Sequence, residues 1–100
     1  MADPVSLGDL PDDTHVDLFP GAEPRTVCLT LAAGEAVPPH THPDRQVVLS
    51  VREGHLAVTL DDETHHLEPG DVVRFDGRRE VSPRAVEDST ALVVLAPRAD

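Results

Sequence analysis

The chain contains no lysine, tryptophan or tyrosine, and a single cysteine, Cys28. Each absence excludes something. One thiol cannot form an intramolecular disulfide, and no Cys-x-x-Cys motif is present for redox or zinc chemistry. Cys28 lies in the strand-like run TVCLTLAAG, where a thiol acts as a small apolar group. With two aromatics, Phe19 and Phe75, the core must be built from Val, Leu and Ala. No apolar stretch approaches the ~20 residues that a membrane-spanning helix needs. The start, MADPVSLGDLPDD, has neither the basic end nor the apolar stretch of a signal peptide, so a cytoplasmic location is expected. There is no Gly-rich phosphate loop and no G-x-S-x-G nucleophile motif.

What is abundant is acid. Nineteen Asp and Glu oppose eight cationic residues, all arginine, for a net charge of −11. Such a surface repels nucleic-acid backbones and anionic lipid, so neither is an expected partner. The lysine-free, Asp-rich composition resembles that of halophilic proteins, in which concentrated salt screens the mutual repulsion.

At 100 residues the chain is expected to form one domain, large enough for one core. Ten prolines and six glycines leave room for short segments only, and no four-turn amphipathic helix can be drawn. Val-, Leu- and Thr-rich runs cover residues 25–31, 47–53, 55–60, 64–67, 72–75 and 90–96. Strands this short, bounded by turn residues, predict an all-β sandwich or barrel. Turns are expected at Glu53-Gly54, Asp61-Asp62, Pro69-Gly70-Asp71 and Asp76-Gly77. Residues 1–24 read as an N-terminal arm with one possible edge strand, and residues 25–100 as the barrel.

The segment GEAVPPHTH, residues 34–42, carries the strongest chemical signal. On an extended chain, His40 and His42 point to the same side, as neighbouring ligands of a divalent transition metal do. Alone, a His-x-His pair is a weak signal. Gly34, five residues, His40-Thr41-His42, a strand ending at Gly54 and then PGDVV from Pro69 together resemble the two-motif signature of the cupin superfamily. The likeness runs from about Thr26 to Ala96.

That resemblance implies a small antiparallel jelly-roll β-barrel, often a homodimer. It also implies an inward-facing set of two histidines, a glutamate and a second-motif histidine around a metal such as Fe, Ni, Zn or Mn. The sequence departs from this set. Counting back from Gly54 puts Val47 at the glutamate position. Gln46 is the adjacent candidate, although the alternation of Val47, Leu49 and Val51 turns it to the other face unless a bulge resets the register. Counting on from Gly77 reaches Glu80 at the second histidine position, and one alignment step away lies Val81. His40, His42 and Glu80 would form a two-His, one-carboxylate set; otherwise Glu80 is a solvated acid beside Arg78 and Arg79. His15 lies in the acidic arm and His55 is expected at the surface, while the consecutive His65 and His66 face opposite sides of their strand, one toward solvent and one at the barrel edge.

Two functions therefore stand open. One is a metal-dependent cupin acting on a small molecule, with oxygenase- or isomerase-type chemistry. The other is a non-catalytic cupin whose degenerate metal site holds a metal weakly or not at all, serving as a small-ligand-binding, sensor or structural dimer module.

Overall fold

The computed structural model describes residues 2–98. A 3-10 turn at Leu7–Asp9 precedes six strands: β1 (His15–Asp17), β2 (Arg25–Leu31), β3 (Arg45–Leu60), β4 (Glu63–Leu67), β5 (Val72–Asp76) and β6 (Val81–Pro97). All pairings are antiparallel, in the order β1-β2-β6-β3-β4 with β5 on the free side of β3. The result is the expected all-β jelly-roll barrel.

Two strands are much longer than the sequence suggests. β3 runs unbroken through Glu53-Gly54, where a turn was expected, and β6 begins at Val81 rather than near Thr90. The reason is a shared corner. Register shifts fall between Val51 and Leu56, so β3 bends there by bulging instead of reversing. Gly54 takes φ +86°, and a side chain added to it would collide with the Asp88 carbonyl and the Ser89 side chain, and would sit 2.7 Å from Ser89 Cα. Glycine thus lets the two spines cross the corner in contact. The Ser89 hydroxyl accepts the His55 N–H at 2.9 Å and donates to the Glu87 carbonyl at 2.7 Å.

Before the corner, β3 pairs with β5 and with the C-terminal half of β6; after it, with β4 and the N-terminal half of β6. Pro83 is tolerated in β6 because its position faces the segment 35–40. There its carbonyl accepts the Val37 N–H at 2.9 Å, and the missing N–H costs no bond to β3. The expected Asp61-Asp62 hairpin joins β3 to β4, with Asp61 at φ +55° as a two-residue turn requires.

Alternation fills the barrel. Val47, Leu49 and Val51 are buried to 2% exposure or less, while Val48 and Ser50 between them are only partly covered. Val27, Leu29 and Leu31 from β2, Leu56, Val58 and Leu60 from β3, and the ring of Phe75 complete a largely aliphatic core. Each fully buried Val or Leu contributes about 1.5–3 kcal/mol through transfer from water. Cys28 is buried on the opposite face of β2, beside Val16 and the Leu7–Leu10 segment.

Candidate functional site

The His40–His42 pair is positioned from three directions. His40 forms an antiparallel bridge with Val81: the His40 N–H donates to the Val81 carbonyl at 3.1 Å, and the Val81 N–H donates back at 2.9 Å. The His42 N–H donates to the Gly77 carbonyl at 2.6 Å, and the Gly77 N–H donates to the Arg45 carbonyl at 2.9 Å. A Cβ at Gly77 would strike the His42 carbonyl and lie 2.6 Å from the Arg45 carbonyl, so the turn accepts glycine only. Arg45 is tied in turn to Glu23 (2.6 Å) and to the Leu95 carbonyl (2.9 Å).

The two imidazoles meet edge to face, with centroids 4.7 Å apart. His40 Nδ1 lies 2.9 Å from the Pro38 carbonyl, which places a proton on Nδ1 and leaves Nε2 bare in the neutral ring. Burial, the neighbouring His40, and then Arg25 and Arg45 push His42 below its usual titration range. His42 is therefore neutral at pH 7.

Both rings stand at the mouth of a cavity of about 90 Å³ inside the barrel. Its walls are apolar, with Val27, Leu49, Phe75 and Leu95 among them, and Val47 and Val81 also face it. Val47 stands where counting back from Gly54 puts the signature's glutamate, and Val81 stands one step from Glu80, across the bridge from His40. The two valines are 1% and 4% exposed.

The remaining expected ligands lie elsewhere. Gln46 shares the outer face of β3 with Val48 and Ser50, and pairing there is regular from Arg45 to Val51, so no bulge turns it inward. Glu80 is exposed and absent from the cavity lining. Its main chain is fixed by Asp61, whose carboxylate accepts the Glu80 N–H at 3.1 Å and whose N–H donates to the Glu80 carbonyl at 2.8 Å. Among the described residues, no group of three or more His, Cys, Asp or Glu is placed to hold a metal ion. Catalytic metal sites supply three protein ligands, and the two imidazoles alone fall one short of that set.

Two lining residues were not singled out from the sequence, His15 and Arg25. Arg25 begins β2 in phase with Val27 and Leu29, so parity alone places it on the inner face. His15 sits opposite Leu29 in the β1–β2 register, a pairing that the polar arm does not announce. The other histidines lie away from the cavity. His55 Nε2 and His66 Nδ1 share a hydrogen bond of 3.0 Å, and His65 is exposed.

A small antiparallel barrel with paired histidines at the mouth of an apolar cavity is the class that fold and site define. Residues 27–97 match the family model of the Cupin domain, and the chain belongs to that family. Solved structures resemble it over nearly its whole length. An RmlC-like cupin protein from Desulfovibrio desulfuricans is 27% identical, with a TM-score of 0.80 and 97% of each chain covered. KdgF from a Halomonas species is 26% identical, with a TM-score of 0.71, covering 89% of this chain and 90% of that one. A cupin superfamily protein from Desulfitobacterium hafniense, 16% identical with a TM-score of 0.81, shares the fold. The comparison with curated proteins returns no match. Among the described residues, no helix is long and apolar enough to cross a membrane.

Proposed function

We propose that the protein is a ligand-binding cupin, in which the barrel cavity receives a small molecule and His40 and His42 form part of its polar mouth. One observation carries this reading: Val47 and Val81 fill two of the four ligand positions of the cupin signature, making an apolar chamber of what would be a coordination sphere. A chamber of this size is smaller than a site for a drug-sized molecule and suits a compact ligand.

The test is chemical-shift mapping of a fragment set, neutral and charged, on the wild type and on Val47→Phe and Val81→Leu variants that fill the chamber. Hits that shift residues around Val27, Val47 and Val81 and vanish in either folded variant support the reading. Hits that persist in both, or none mapping to the barrel interior, overturn it.

A second reading, metal on the His40–His42 pair, is favoured by the Nδ1 contact of His40 with Pro38, which orients a metal-binding ring in the usual way. It requires donors from outside the pair, and metal analysis decides between the two. The protein is also proposed to act as a homodimer. Val48, Leu92 and Val94 lie side by side on the outer face of β3 and β6, and Val72 on β5 is 61% exposed. Light scattering that gives twice the chain mass, falling to one chain in Val94→Asp, supports the dimer; a wild-type monomer at tens of micromolar refutes it.

A further inference from the structure

The geometry points to a small carboxylate as the ligand of this chamber, its anionic end held by Arg25 with the mouth imidazoles and its apolar body in the aliphatic interior. This rests on the cavity reading above and adds the chemical class.

In a chain of net charge −11 with nineteen acidic residues, no Asp or Glu among the described residues lines the chamber. Every ionisable group that does line it, His15, Arg25, His40 and His42, is neutral or cationic. The lining is thus a local exception to the acidic surface, with Asp17 outside it as the partner of Arg25, and apolar walls behind it focus what charge it has.

Arg25 is the fixed cation of the set. Its Nε donates to Asp17 Oδ1 at 3.0 Å, which orients the guanidinium from one edge. No protein group among the described residues partners its Nη atoms, and that edge matches a carboxylate in the forked geometry that arginine favours. Asp17 follows His15 on β1 by two residues, so one short strand both anchors the arginine and delivers an imidazole to the same mouth.

The interior sets the rest of the ligand. Val27, Leu49, Phe75, Val81 and Leu95 offer no polar side chain, so a second charge or a string of hydroxyls placed there would lose its water without replacement. The preferred ligand therefore carries one charge at one end and a short hydrocarbon body.

Butanoate, butanamide and butanol have the same carbon skeleton and separate charge from shape. Titration followed by chemical shift in the wild type and in Arg25→Gln is the test. Arg25 is half exposed, with 51% of its side chain accessible, so the substitution leaves the core untouched. The expected result is butanoate binding about tenfold more tightly than butanamide, with Arg25→Gln removing that preference. Equal binding of the amide and the acid, or an equal loss of both in Arg25→Gln, overturns the carboxylate assignment while the cavity reading stands. Silence from all three probes overturns it too. The cavity reading then depends on the fragment mapping, which presumes no charge.

Discussion

Val81 and His40 face each other across an antiparallel bridge, joined by two main-chain hydrogen bonds of 2.9 and 3.1 Å, so the side chain at 81 stands beside the histidine pair. Val47 borders the same chamber from β3. Together they define what the site lacks. A Val47→Glu, Val81→His double variant should complete a four-ligand sphere and raise Zn or Ni affinity by on the order of a hundredfold over the wild type. Competition titration with a chromogenic chelator reads this directly. No gain in a folded double variant would mean that these two positions are not the ligand positions.

Gly77 predicts a stability effect coupled to the site. A methyl group there would strike the His42 carbonyl and approach the Arg45 carbonyl, both backbone atoms that cannot swing aside. Gly77→Ala should cost about 1–3 kcal/mol and move the His42 resonances. Denaturant unfolding and a two-dimensional NMR spectrum check both parts. An unchanged midpoint with unchanged His42 shifts would contradict the positioning role.

The sequence shows the barrel better than it shows the mouth, and the reason is range. The inward parity of Val47, Leu49 and Val51 is local, and it placed Val47 correctly in the core while turning Gln46 away. The corner at Gly54 depends on β6 passing against it, and a sequence reading sees only a glycine of the kind that ends strands. The first half of β6 was hidden by Pro83 and by the Glu87-Asp88 acids, which are compatible with a strand only because of where that strand's neighbours lie. His15 enters the site through a three-residue strand pairing across a separation no local pattern spans. Glu80 and Val81 differ by one step of register, and it is Val81 that the bridge sets across from His40.

The pH dependence of stability has a defined sign. His42 titrates below its usual 6.5 in the folded chain, because of burial first and nearby cations after it, so the unfolded chain binds the proton more readily. Stability is complete above 6.5 and falls as pH drops toward the folded value. Asp76, held well below the carboxylate range by Arg78 and Arg98, acts in the same direction at lower pH, below the usual 3.8. Thermal melts between about pH 7.5 and 5 should decline in the wild type and flatten in His42→Gln. A wild-type melting temperature that rises on acidification in this window would contradict the account.

Salt should stabilise the fold. With eight arginines against nineteen acids, self-repulsion dominates, and raising KCl from about 0.1 M to about 1 M shortens the screening length from about 10 Å to about 3 Å. The melting temperature is expected to climb over that range. A fall would mean that ion pairs such as Arg79 with Asp61 and Glu63 outweigh the net repulsion.

On the reading proposed above, this cupin presents an apolar chamber with a histidine and arginine mouth where the cupin signature would place four metal ligands. Plasma mass spectrometry of the untagged protein, purified in high salt and then offered Fe, Ni, Zn and Mn, tests it most directly, with His40→Ala, His42→Ala as the control. Metal far below one ion per chain is expected, with little difference between wild type and control. One tightly held ion per wild-type chain, lost in the double variant, would contradict it.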